Sequence, residues 1–88
     1  MDLSGVPIKN PKAAYRIYDG KATVVLPERA EVNVLNEVGS VVWDRIDGKR
    51  TVGEILQAVL EAFEVSPEAA RRDVLEFIAT LRENGMVS

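Results

Sequence analysis

Glu31-Val32-Asn33-Val34-Leu35-Asn36-Glu37-Val38-Gly39-Ser40-Val41-Val42-Trp43 contains the change of period on which the fold turns. As far as Asn36 the residues alternate, mostly polar then apolar, which predicts a strand with Val32 and Val34 on one face. Beyond it the apolar positions return at helical spacing, and Val38, Val41, Val42 and Ile46 form one stripe. Asn36 is a suitable N-cap, and Glu37 suits the positive start of a helix. Gly48 stands where a left-handed residue is wanted after the last turn.

Upstream, Tyr15-Arg16-Ile17-Tyr18 and Lys21-Ala22-Thr23-Val24-Val25-Leu26 flank Asp19-Gly20. Two β-prone runs around Asp-Gly predict a hairpin, because its two-residue turn needs positive φ at both central positions. Pro27 closes the second strand by withholding a donor, and Glu28-Arg29-Ala30 loosens the link to the third. Residues 1–12 contain two prolines, Gly5 and no regular apolar period, so they are expected as a flexible N-terminal segment. Downstream, Thr51-Val52-Gly53-Glu54 has the form of a capping box, followed by Ile55, Leu56, Val59, Leu60 and Phe63 on one helix face. Ser66-Pro67 opens a third helix of about 17 residues that turns Ala70, Val74, Phe77, Ile78 and Leu81 inward and stops at Asn84-Gly85. Met86-Val87 is either a last short strand or a docked tail. The expected fold is α+β: three N-terminal antiparallel strands followed by a three-helix, winged-helix-like unit, with residues 13–88 as one domain.

Composition removes whole classes of function. With no Cys and no His among 88 residues, disulfides, thiolate nucleophiles, Cys/His zinc sites and Ser–His–Asp triads are excluded. The nearest acidic pairs, Asp44/Asp47 and Asp73/Glu76, are surface neighbours on helices with arginines interleaved, and the glycines are scattered singly. The expectation is therefore a protein that is not an enzyme and uses no cofactor. No apolar run approaches the roughly 18 residues of a membrane span, so no membrane partner and a cytoplasmic location are expected. A net charge of −3 weighs against nucleic acid. The winged-helix layout keeps DNA binding, or a protein-interaction module, as the alternative. Its reading helix, however, would set Arg71, Arg72 and Arg82 against Glu68, Asp73, Glu76 and Glu83.

Recognition of an extended peptide is a third reading. The central part of the third strand, Val32-Asn33-Val34-Leu35, lacks the prolines and inward charges that usually blunt a free edge, so this edge is either open or covered by the chain's own termini. Beside it, Leu75 lies about 100° round the third helix from Val74, with Arg71 and Arg82 on the same flank. That flank is either a wide core stripe with solvated arginines or a surface for a peptide bearing acidic and apolar groups. Trp43 is either a core anchor or a binding residue.

From Val34 to Ile55 the chain resembles the coenzyme PQQ synthesis protein D family, through Leu35-Asn36, Ile46-Asp47-Gly48, Thr51 and Glu54-Ile55. Asp73-Val74, Phe77-Ile78, Leu81 and Gly85-Met86-Val87 are similar to the family's last helix and terminus. The Val-Gly-Ser-Val-Val-Trp pattern at residues 38–43 resembles the broader, stand-alone branch rather than members dedicated to the quinone cofactor. The resemblance implies a peptide chaperone that binds the leader of a ribosomally made precursor peptide as an added strand. It implies presentation of that peptide to a modifying enzyme, commonly a radical S-adenosylmethionine (radical SAM) enzyme. Carried onto this chain, the edge is Glu31, Val32, Asn33, Val34 and Leu35, and the facing wall is Arg71, Leu75, Ile78 and Arg82. A monomer or weak dimer is expected.

Overall fold

The computed structural model describes residues 3–26 and 31–88. The expected role of Pro27 and the Glu28–Ala30 link lies outside them. Three antiparallel strands, β1 (Ala14–Tyr18), β2 (Lys21–Leu26) and β3 (Glu31–Val34), are followed by α1 (Glu37–Arg45), α2 (Val52–Ala62) and α3 (Pro67–Glu83). This is the expected α+β order. Asp19 and Gly20 both take positive φ, 51° and 76°, as the two-residue hairpin requires. Asn36, Thr51 and Ser66 each cap a helix with the side chain, and Thr51 and Glu54 close the reciprocal capping box.

The core lies between one face of the sheet and the three helices. β2 contributes Ala22, Val24 and Leu26, α1 contributes Val42 and Trp43, α2 contributes Val52, Ile55 and Val59, and α3 contributes Ala70, Val74, Ile78 and Leu81. Phe77, predicted inward with these, is only half-buried. β1 is exposed along its whole length, because α1 packs on β2 and leaves the outer strand uncovered. Its main tie to the core is Tyr15, edge-on to the fully buried Trp43 at 5.5 Å, with the Lys9 ammonium over both rings. Trp43 is thus a core anchor.

The lead-in from Leu3 to Asn10 has partners that no local pattern announces. The carbonyls of Leu3 and Gly5 accept the N–H groups of Gly53 and Val52, both at 2.9 Å. These are two of the donors that the first turn of α2 leaves without an intrahelical acceptor. Farther along, Ile8 and Ser88 exchange hydrogen bonds, Asn10 donates to Met86, and Pro7 is fully buried. Met86-Val87 is therefore a docked tail that also bridges Lys9.

One buried hydroxyl joins sheet and helices. Leu35 donates to Ala22 at 2.8 Å, continuing the β2–β3 ladder one residue past β3. The reciprocal bond is absent; instead Ser40 Oγ accepts the Ala22 N–H at 2.6 Å and donates to the Leu35 carbonyl at 3.3 Å. Ser40→Ala strips a partner from both buried backbone groups. It is expected to lower stability by about 1–3 kcal/mol, read as a lower urea midpoint at unchanged slope.

The α1–α2 turn is tied by Asp47. Its Oδ1 accepts the N–H groups of Arg50 and Lys49, both at 2.9 Å. These bonds, with the Arg50 guanidinium 3.3 Å away, hold the carboxyl below its ordinary pKa. A carboxylate depressed on folding stabilises above its unfolded pKa and loses that contribution as pH falls through the folded value. Asp47→Asn should therefore lower the melting temperature at neutral pH, with the gap to wild type closing below about pH 4. A gap that stays constant into acid would show that the charge plays no part.

Candidate functional site

The sheet order β1-β2-β3 leaves the outer side of β3 without a strand among the described residues. Which backbone groups face that side follows from one hydrogen bond. Leu35 N–H points to β2, and in an antiparallel pair the direction alternates along the strand. Asn33 and Glu31 therefore also address β2, while the N–H and C=O groups of Val32 and Val34 point outward. Two donors and two acceptors line a free edge.

Side chains alternate by the same rule. Val32 and Val34 stand opposite Val25 and Thr23 on the face away from the helices and are 66% and 67% exposed. Their apolar character, which fits a buried face, is instead presented to solvent, because Leu35 must point inward to reach the core. Asn33 stands opposite Val24 on the helix side, half-buried, and its side-chain nitrogen is buried without a hydrogen-bond partner. A donor in this condition is costly to leave unmatched. It lies in the strand with the free edge.

Beside the point where β3 gives way to α1, a pocket of about 310 Å³ opens between the start of α1 and α3. Asn36, Val38 and Gly39 line it from one side, and Asp73, Glu76, Phe77 and Thr80 from the other. At Gly39 the Phe77 ring packs directly against α1, since a Cβ there would sit 3.0 Å from that ring and 3.1 Å from Asn36 Oδ1.

The expected wall and this pocket lie on different flanks of α3. Ile78 is fully buried and belongs to the core, so it has no surface to offer a guest. Leu75 is half-buried against the core, and Arg71 and Arg82 are exposed. Round the helix, Leu75 stands about 100° to one side of Val74, and Asp73 about 100° to the other. The pocket takes the Asp73 side. The sequence wheel identified an off-core flank but had no means of choosing between two, because that choice depends on where Asn36 and Gly39 sit.

A second hollow of about 250 Å³ lies on β1 and β2, lined by Ala14, Tyr15, Arg16, Tyr18, Thr23 and Val25. Among the described residues no three His, Cys, Asp or Glu side chains are placed to hold a metal ion, and no helix is long and apolar enough to cross a membrane.

Comparison with solved structures finds the same architecture in two proteins. One is TbiB1 in complex with the TbiA(beta) leader peptide, 17% identical, with a TM-score of 0.84 over 92% of this chain and 94% of that one. The other is lasso peptide synthetase B1 complexed with the leader peptide, 20% identical, with a TM-score of 0.82 over 96% of this chain and 99% of that one. At such identities the likeness speaks for the fold. No curated protein matches the chain. The family model described as coenzyme PQQ synthesis protein D (PqqD) matches residues 22–87, from the second strand through the docked tail, and the chain belongs to that family.

Proposed function

We propose that the domain is a non-catalytic peptide chaperone. It captures the leader of a ribosomally made precursor as an extra strand on the outer edge of β3. It then presents the rest of that peptide to a separate modifying enzyme, commonly a radical SAM enzyme in the family it belongs to. The observation that carries this reading is the pair of residues, Val32 and Val34, whose backbone donors and acceptors face outward beside a pocket of side-chain size. Edge pairing supplies affinity from any sequence, and pockets for alternate side chains supply selectivity. Both structural neighbours are described as leader-peptide complexes, which supports the same role here.

The chain has no Cys or His and no constellation suited to catalysis, which favours a carrier over an enzyme. The alternative of DNA binding finds little support, since α3 mixes arginines with carboxylates in a chain of net charge −3. A disordered leader gives up about 2–5 kcal/mol of interaction energy on ordering. Affinity near micromolar, about −8 kcal/mol, is the expectation, and it suits a carrier that must release its cargo.

Proline substitutions at the two free edges separate strand addition from other modes of binding. Val34→Pro removes an outward N–H of β3, while Ile17→Pro removes the corresponding N–H of β1, and neither breaks a ladder bond to β2. A labelled leader from the gene's own neighbourhood should bind wild type and Ile17→Pro alike and lose at least about tenfold in affinity on Val34→Pro, a step of 1.4 kcal/mol or more. Circular dichroism would establish that both variants fold. Equal affinity in a folded Val34→Pro protein removes the mechanism.

A further inference from the structure

We propose that the pocket between α1 and α3 is a selectivity pocket for a lysine or arginine side chain of the guest peptide. The inference rests on the strand-addition reading above and names the chemistry of the peptide it selects. Three features of the pocket combine.

The first is position. Leu35 follows β3 directly, still hydrogen-bonded to β2, and its side chain points to the helices. A guest residue set opposite Leu35 shares that face of the sheet. Its side chain leaves the edge on the helix side, next to Asn36, where the pocket begins. Asn33, on the same face, has a buried amide nitrogen that lacks an acceptor, and a passing peptide can supply one.

The second is shape. Val38 and the half-buried Phe77, whose ring packs close to α1 because residue 39 has no side chain, form an apolar surface along the pocket. Such a surface fits an unbranched aliphatic stem.

The third is charge. The lining includes the carboxylates of Asp73 and Glu76 and no cation. Asp73 has one ion-pair partner among the described residues, Arg72 at 3.6 Å, with both side chains mostly exposed; Glu76 has none. A long side chain that lays its methylenes on Phe77 and Val38 and carries its cation to the rim satisfies both features. Arg71 and Arg82, which suggested an acidic guest, stand on the opposite flank of α3 from this pocket. The sign of the expected peptide therefore reverses.

The probe is a phage-displayed library of random dodecapeptides, panned on the full 88-residue protein and on an Asp73→Asn/Glu76→Gln double variant. Wild type should enrich strand-forming peptides with Lys or Arg at one fixed position, and the double variant should lose that preference while still selecting peptides. In calorimetric titration, replacing the selected lysine by norleucine should weaken binding to wild type about two- to fivefold and leave the double variant unaffected. Absence of a basic preference, or one that survives neutralisation of both carboxylates, overturns the assignment. Failure of the underlying mechanism has a different signature, in which Val34→Pro binds the selected peptide as well as wild type does. A library that yields no binder at all counts against both.

Discussion

The Ser40 hydroxyl is placed where two demands conflict. β3 must leave the sheet to become α1, yet the last backbone groups of the β2–β3 ladder are buried and require partners. By accepting from Ala22 and donating to Leu35, one side chain of α1 completes the ladder that the main chain abandons. The helix is thereby tied to the central strand at the point where the chain changes period. The inward direction of Leu35 and the outward direction of Val32 and Val34 follow from that junction.

A free edge with exposed valines is a hazard in an isolated domain, since it invites pairing with any extended chain. In the proposed strand addition the hazard and the function are the same feature. The helices bury the inner face of β2 thoroughly, so stability does not depend on a partner for β3. On that proposal a guest would add hydrogen bonding along an edge already in strand conformation, and the side chains near α1 and α3 would decide selectivity.

The termini contribute more than their composition suggests. The lead-in satisfies amides at the start of α2 and pairs with the tail after α3, closing the helical layer from the side opposite the free edge. Lys9, from the same segment, lies over Tyr15 and Trp43 and helps to fix the otherwise uncovered β1. The chain's own ends are thus spent on α2 and on each other, and among the described residues they do not cover β3.

Most of the element order is legible in the residues themselves, because its causes are local. Asp19-Gly20 forms the one turn that fits it, Asn36, Thr51 and Ser66 cap amides within three residues, and the apolar spacing separates strand from helix. The free edge was half legible: no blunting device is present between Val32 and Leu35, but whether a distant segment covers them is a long-range matter. Which flank of α3 lines the pocket was not legible. A helical wheel shows that α3 has two flanks of equal standing, and Ile78 looks the same whether it faces core or cleft. Only the packing of α1 against α3, with Phe77 close to a glycine without a side chain, puts the Asp73 flank rather than the Leu75 flank on the pocket. Local hydrogen bonding and periodicity determine what each segment becomes; which surfaces then meet is decided by steric fit between residues far apart in the chain, which no local pattern encodes.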